Sequence, residues 1–131
     1  IRLMNPRWSG NGYSQWSPFG GYLRIEHKDS SSYNTGTILD GAWHFLTYTR
    51  DSNGNFSIYI DDQLDITGQH AIPSGTSTEW VLGGAACNND PFNGDMAYLL
   101  VYDTALSESE ILSNYNIIGS VLSDRGIVFG Q

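Results

Sequence analysis

Turn-forming residues interrupt this sequence at short intervals, and that feature limits its possible folds more than any other. The 131 residues include 15 glycines. Glycine and proline mark turns and interrupt helices. In the first 21 residues, glycine, proline, asparagine and serine separate the aromatic residues, which fits short strands joined by turns and does not fit a helix. The sequence therefore predicts a succession of short strands.

The clearest local prediction is a β-hairpin near the middle of the chain. Trp43–Thr49 is rich in aromatic and β-branched residues, which favour a position in a sheet. Asn53-Gly54 supplies the positive φ angles of a tight hairpin turn. Alternation then resumes, with Phe56, Ile58 and Ile60 on one face of the second strand.

Other segments predict further strands. Tyr22–His27 alternates, which places Leu23 and Ile25 on one face. A turn after Asp61 leads into a strand at Leu64–Thr67, and Glu79–Leu82 is another short strand.

Two more segments carry predictions of a different kind. Met96–Tyr102 is apolar on both faces, which is typical of a central strand covered on both sides. The polar stretch Lys28–Gly36 is predicted to be a loop.

One helix signal stands out. Ser107 followed by Glu110 forms a capping box, in which each side chain accepts a hydrogen bond from the other residue's backbone N–H. Ile111, Leu112 and Tyr115 then give a short apolar face, which predicts a helix of about two turns.

These elements indicate an all-β fold: an antiparallel β-sandwich or jelly roll with one short C-terminal helix. The chain length fits a single domain over residues 1–131. Cys87 is the only cysteine, so an internal disulfide framework is excluded. Because Ile1 stands where an initiator Met would, we expect a processed product or part of a longer polypeptide.

The charge distribution excludes several partners. The net charge is −8, and from Asp51 to Asp124 there are eleven acidic residues and no Lys or Arg. Nucleic-acid binding needs clustered cations, so we expect no nucleic-acid partner. This acidic part of the chain would bind a hard cation more readily than a nucleic acid. No run of 18 apolar residues occurs, so we expect no membrane insertion.

Five segments within residues 42–116 carry motifs that occur in a fixed order. They are Trp43–Tyr48, Ile58–Asp61, Phe92–Ala97, Val101–Ser107 and Glu110-Ile111. Together these segments resemble the laminin-G-like, concanavalin A-like jelly-roll domains. In that family a Trp-His strand pairs with a Leu-Tyr-Val-Asp-Gly strand, and a Phe-x-Gly-x-Ile-Asp strand leads to an Ala-Leu-Ser-x-x-Glu-Ile turn and helix.

The sequence also departs from this family pattern. Asp62 stands where the family has a turn glycine, and Met96-Ala97 replaces the Ile-Asp pair. Full domains of this kind carry more strands upstream than residues 1–41 can supply, so we expect a truncated sandwich or one completed by an upstream segment. The C-terminal extension 117–131 passes the end of the pattern, and Gly126–Gly130 is either an edge strand of its own sheet or a strand that pairs with a partner's sheet.

No catalytic motif is present, and we predict that the domain is not an enzyme. His27, His44 and His70 lie in unrelated segments, and His44 is expected to be structural. Related jelly-roll glycosidases use two carboxylates that flank the sugar bond. The candidates for that role are Asp61, Asp62, Asp65 and Asp95. Asp61 and Asp62 are adjacent at a hairpin, where Asp favours the turn through local hydrogen bonds.

Two candidate binding sites remain. Aromatic faces stack on sugar rings while amides and carboxylates bind hydroxyl groups. The glycan candidates are Trp8, Tyr13, Trp16, Asn88, Asn89 and Phe92; a place in the core is the competing interpretation of each aromatic residue. Oxygen-rich loops suit calcium, which the resemblance also implies. The calcium candidates are Asn88, Asp90 and Asp95, and their competing interpretation is a hydrated turn.

The resemblance and these residues favour a non-catalytic, lectin-like carbohydrate-binding or adhesion module, with calcium as candidate cofactor. Its partner would be a glycan or surface glycoprotein, and its place a larger extracellular, cell-surface or virion protein. The alternative is an architectural subunit, such as a capsid or phage decoration protein, that packs on neighbouring subunits through its N-terminal segment and C-terminal strand.

Overall fold

The computed structural model describes residues 4–8, 14–19, 22–27, 32–37, 40–70, 77–82 and 94–129. These residues form strands and a C-terminal helix. The elements are β1 (Met4–Trp8), β2 (Ser14–Phe19), β3 (Tyr22–His27), β4 (Ser32–Thr37), β5 (Leu46–Arg50), β6 (Asn55–Ile60), β7 (Gln63–Gln69), β8 (Ser77–Leu82) and α1 (Glu108–Ser123).

The strands form two antiparallel sheets. One has the order β4-β3-β2-β1-β8, and the other has the order β5-β6-β7. Each neighbouring pair is antiparallel. The prediction of a mostly-β, antiparallel protein with one C-terminal helix is confirmed.

The predicted hairpin is present as β5 and β6. Leu46 lies opposite Ile60, and Arg50 lies opposite Phe56. The connecting turn is held by Asp51, whose Oδ1 accepts hydrogen bonds from the backbone N–H groups of Asn53 at 2.8 Å and Asn55 at 2.9 Å. Gly54 has φ 84°, a backbone conformation that favours glycine, but Asn53 does not have a positive φ, so the prediction of positive φ angles holds only for Gly54. Local turn chemistry therefore determines the register of this hairpin.

The hydrophobic core joins the two sheets. Leu23 and Ile25 of β3 and Phe56 and Ile58 of β6 are buried in a single cluster. The alternation of β3 and β6 predicts these inward-facing positions, and both predictions are confirmed. Around the cluster pack the partly buried residues Tyr33, Leu46, Tyr48, Ile60 and Ile66.

The prediction of a loop at residues 28–36 is wrong, because β4 occupies Ser32–Thr37. The β3–β4 register shifts between Tyr22 and Arg24. At this irregularity the Leu23 backbone N–H donates to Thr35 Oγ1 at 2.9 Å, so a side chain replaces a missing backbone acceptor. The Gly36 N–H donates to Asp65 Oδ2 at 3.0 Å and ties β4 to β7 of the other sheet. Non-local contacts therefore stabilise a polar strand.

The capping box at the start of α1 is confirmed, but the predicted helix length is wrong. Ser107 N–H donates to Glu110 Oε2 at 2.8 Å, and Glu110 N–H donates to Ser107 Oγ at 3.4 Å. The helix has 16 residues rather than about two turns. Its buried face continues from Ile111 through Ile118 and Leu122, at helical spacing, and this packing extends the helix.

The prediction of a central strand at Met96–Tyr102 is wrong. These residues form no strand, and their side chains are exposed, up to 65 % for Val101. Asn114 Nδ2 on α1 donates to Tyr102 Oη at 3.0 Å, and Thr49 Oγ1 on β5 contacts Leu106 O at 3.5 Å. Residues 96–106 therefore form a connection without strand structure, which contacts α1 through Tyr102 and β5 through Leu106. Apolar composition on both faces does not by itself provide a sheet partner.

The C-terminal segment after α1 turns back onto the same chain. Gly126, with φ 77°, reverses the backbone, and the Ile127 N–H donates to Leu122 O at 3.1 Å. Phe129 then forms an isolated parallel bridge with Trp43. The described part of the chain contains no helix long and apolar enough to cross a membrane.

Candidate functional site

The structure describes part of the predicted glycan site. Trp8 lies in β1 and Trp16 in the neighbouring strand β2. Trp16 pairs with Met4, whereas Trp8 pairs with Ser77 of β8. Met4 and Trp8 are four residues apart, which is about 13 Å along a strand. The two tryptophans therefore occupy separate backbone positions along one sheet.

The other glycan candidates, Tyr13, Asn88, Asn89 and Phe92, lie outside the described residues. Of the calcium candidates, Asn88 and Asp90 also lie outside them, and Asp95 is exposed. No group of three or more His, Cys, Asp or Glu residues suited to a metal occurs where the structure describes side chains. One exposed carboxylate does not make a calcium site, and calcium binding stays a prediction.

A histidine held between two carboxylates is the main polar cluster that the structure adds. His44 Nδ1 lies 3.0 Å from Asp61 Oδ2, and His44 Nε2 lies 3.2 Å from Asp40 Oδ1. The Asp61 side chain is placed by the hairpin: its Oδ1 accepts from the Phe45 N–H at 3.0 Å, and its own N–H donates to Phe45 O at 2.7 Å. Asp61 adopts φ 57°, a conformation that Asp tolerates at turns.

The geometry favours the protonated form of His44. Both ring nitrogens face carboxylates, and both act as donors only when the imidazole is charged. Burial of the ring favours the neutral form, but the hydrogen bonds to Asp61 and Asp40 outweigh it and raise the His44 pKa. The His44 side chain is 12 % exposed, whereas Asp40 is 48 % exposed. Solvent therefore screens the Asp40 contact more than the Asp61 contact.

We expect stability to fall as the pH rises through the raised His44 pKa. A histidine with a raised pKa in the folded state contributes fully below its unfolded value of about 6.5 and loses that contribution at higher pH. The expected loss between about pH 6 and pH 8 is roughly 0.5–1 kcal/mol, since the pair is partly solvated. Urea unfolding of the wild type and of His44→Gln across this range measures it. The variant should show a flatter profile, and equal profiles would contradict the ion-pair assignment.

Three of the four carboxylates considered for glycoside hydrolysis, Asp61, Asp62 and Asp65, have hydrogen-bond partners. Asp61 holds His44 and the Phe45 N–H. Asp65 accepts from the Gly36 N–H, and Asp62 Oδ1 accepts from Gln63 Nε2 at 2.9 Å. These hydrogen bonds give Asp61, Asp62 and Asp65 structural roles.

A second histidine lies in an aromatic cluster at the other end of the hairpin. His70 is buried, and its Nε2 lies 2.9 Å from Tyr48 Oη. Phe56 stacks on Tyr48 with ring centroids 5.7 Å apart and contacts Tyr33 edge-on at 4.6 Å. Burial raises the Tyr48 pKa to about 12. These contacts assign His70 and Tyr48 to the packing of the core.

A second aromatic cluster joins the hairpin to the C-terminal elements. The ring of Phe45 lies 6.0 Å from that of Tyr115 on α1 and 5.6 Å from that of Phe129. Tyr115 and Phe129 lie 5.6 Å apart. Phe45 follows His44 in the chain and its N–H donates to Asp61 Oδ1 at 3.0 Å, so this cluster lies beside the His44 ion pair. Burial, and then the negative charges of Asp61 and Asp62, raise the Tyr115 pKa. The sequence pattern placed Tyr115 on the apolar face of the helix but did not predict its contacts with Phe45 and Phe129.

Comparison with known proteins supports the resemblance on which the sequence analysis relied. A laminin G family model, described as the concanavalin A-like lectin/glucanases superfamily, matches residues 2–112. Searches of the curated proteins and of the solved structures returned no significant match. The matched region spans the strands of both sheets and the start of α1. The chain therefore belongs to the concanavalin A-like lectin/glucanase superfamily.

Proposed function

We propose that this chain is a non-catalytic, lectin-like carbohydrate-binding or adhesion module of a larger extracellular, cell-surface or virion protein. The observation that carries the proposal is the family match over residues 2–112, because that superfamily contains lectins. The superfamily also contains glucanases, so the roles of the acidic residues must distinguish a lectin from an enzyme. The acidic residues Asp61, Asp62 and Asp65 have structural partners, which supports the lectin side.

The proposed architecture is a jelly-roll β-sandwich. Its support is the hydrophobic cluster in which β3 of one sheet packs against β6 of the other. Sheets that pack face to face interdigitate their inner side chains in this way. In a sandwich the loops and sheet edges would stay exposed, where they could form shallow binding sites for sugars.

The proposed glycan surface includes Trp8 and Trp16 on neighbouring strands. Positions spread along a sheet suit an extended oligosaccharide better than a single ring. Asn88, Asn89 and Phe92 are the proposed loop contributors, with Tyr13 between β1 and β2. Asn88, Asp90 and Asp95 are the proposed calcium ligands, and their oxygen atoms are the donors that calcium prefers.

Replacing both tryptophans tests the proposed surface. We expect Trp8→Ala with Trp16→Ala to lower glycan affinity at least tenfold, because both indole rings that would stack on the sugar are lost. The fold should survive, because the described hydrophobic cluster is built from other residues. Glycan-array binding and far-UV circular dichroism measure the two quantities. Leu64→Ala is the matched control, since Leu64 is an exposed apolar residue on the other sheet. Unchanged binding by the double variant would refute this surface.

A specific observation favours the architectural alternative. Residues 96–102 expose a run of apolar side chains, and large exposed apolar patches mark interaction sites. Packing on a neighbouring subunit would cover them. In that case the tryptophan double variant would impair assembly or solubility rather than glycan binding.

A further inference from the structure

A small groove lies between α1 and the C-terminal segment. It has a volume of about 230 Å³ and opens to solvent. Pockets for drug-sized ligands occupy roughly 300–1,000 Å³, so this groove suits a single ring rather than a larger molecule. The groove lies beyond β8 in sequence and uses none of the residues considered for glycan or calcium binding.

Gly119 of α1 lines the groove beside the ring of Phe129. Gly119 lies in the middle of the helix, where glycine is a poor helix former. A Cβ at this position would lie 3.5 Å from the ring atoms Cδ2 and Cε2 of Phe129. That distance is ordinary contact, so alanine would fit, but a longer side chain would enter the space beside Phe129.

One wall of the groove is aromatic. Tyr115 and Phe129 line it with rings inclined by 31°, and Val128 extends the apolar surface. Phe45 of the neighbouring hairpin contacts both rings and supports them from behind. Flat, half-buried aromatic faces of this kind bind the C–H faces of sugar rings.

The opposite rim is polar. Asn116, Ser120 and Ser123 line it along successive turns of α1. Ser123 Oγ donates to Ser120 O at 2.9 Å and is already bonded. Asn116 and Ser120 are exposed, and no hydrogen bond joins either side chain to another group in the described structure. Their amide and hydroxyl groups are therefore available to a ligand that offers hydroxyls.

The charge of the surroundings restricts the ligand. Neither Lys nor Arg lines the groove, and the chain carries a net charge of −8. An acidic sugar or a phosphate would meet the unfavourable potential of this net charge, and no side chain that lines the groove would offset it. A neutral ligand with one apolar face and several hydroxyl groups fits both walls.

We propose that this groove binds one neutral pyranose unit, as a sugar subsite separate from the tryptophan surface of β1 and β2. This inference rests on the proposed carbohydrate-binding function. The aromatic wall would take a C–H face of the ring, and Asn116 and Ser120 would bind its hydroxyl groups.

The test is a titration of the full chain, followed by ¹H–¹⁵N NMR, with the methyl glycosides of glucose, galactose, mannose and N-acetylglucosamine. We expect the largest shifts at Gly119 and at the Asn116 side-chain amide. Asn116→Ala with Ser120→Ala should weaken binding at least tenfold without unfolding the chain, because alanine favours the helix. Ser113→Ala is the matched control, since Ser113 is exposed on the same helix outside the groove. Glucuronic acid should not bind.

Two results overturn the proposal in distinguishable ways. If a neutral glycoside or a glycan on an array binds, but the shifts lie elsewhere and Asn116→Ala with Ser120→Ala has no effect, the groove is not a subsite and the proposed function stands. If the folded wild type binds no sugar in either experiment, both proposals fail.

Discussion

Phe56→Ala is expected to lower the free energy of unfolding by about 3–5 kcal/mol, the usual cost of truncating a buried phenylalanine. Phe56 is 2 % exposed, and it lies in the cluster that joins the two sheets. Its ring contacts those of Tyr33, Tyr48 and His70. Alanine would leave a cavity between rings that are themselves held by hydrogen bonds, so the site has little freedom to collapse.

Urea unfolding of Phe56→Ala, followed by tryptophan fluorescence, measures this loss. Leu64→Ala is the control, because Leu64 lies on β7 and is 52 % exposed. The control should lose less than about 1 kcal/mol. A similar small loss for Phe56→Ala would contradict the packing of β3 and β4 against β6.

Gly68→Ala is expected to destabilise the protein by about 1–3 kcal/mol through overpacking. A Cβ at residue 68 would lie 2.6 Å from Phe56 Cζ and 3.1 Å from Tyr33 Cε1. Phe56 cannot move aside easily, because Tyr48 stacks on its ring. The absence of a side chain on Gly68 is therefore what lets Phe56 occupy this position beneath β7.

Chemical unfolding of Gly68→Ala measures the effect, and Gly119→Ala is the matched glycine control. At residue 119 the added Cβ makes only ordinary contact, and alanine improves a helix interior by up to about 1 kcal/mol. The two substitutions should therefore have opposite signs. Adding Phe56→Leu to Gly68→Ala should recover part of the lost stability, because leucine lacks the ring atoms that the new Cβ would contact. The effects of substitutions at two contacting residues are not additive. A stable Gly68→Ala variant with an unshifted Phe56 would refute the clash.

The parts of the fold that sequence reasoning predicted are those with local signals. β3 alternates, and the β5–β6 hairpin has both alternation and an Asn-Gly turn. The capping box likewise specifies the start of α1 from four consecutive residues. In each case the interactions that determine the element lie within a few residues of one another.

The parts that were predicted wrongly depend on partners distant in sequence. β4 is polar, and it is held by pairing with β3 and by the contact of Gly36 with Asp65. Residues 96–102 have the composition of a buried strand but no sheet partner in the described structure. The length of α1 follows from burial of Ile118 and Leu122, which the first apolar turns do not reveal.

The candidate sites also combine residues that the sequence reveals with contacts between residues distant in sequence. The Trp-His and Asp residues of the hairpin were visible in the sequence, but only the β5–β6 pairing brings His44 to Asp61. The groove beside α1 depends on a tail that returns to the helix after Gly126. The signal that could have indicated it is the pair of Gly119, which the predicted two-turn helix did not include, and the aromatic tail residue Phe129.

The most direct test of the carbohydrate-binding proposal is a glycan-array screen of this chain, run once with millimolar calcium and once with a chelator, with a thermal melt in each buffer. We expect binding to a class of neutral glycans. Binding and a higher melting temperature that both require calcium would support the proposed ligands Asn88, Asp90 and Asp95. A folded chain that binds no glycan in either buffer would contradict the lectin proposal and favour the architectural alternative.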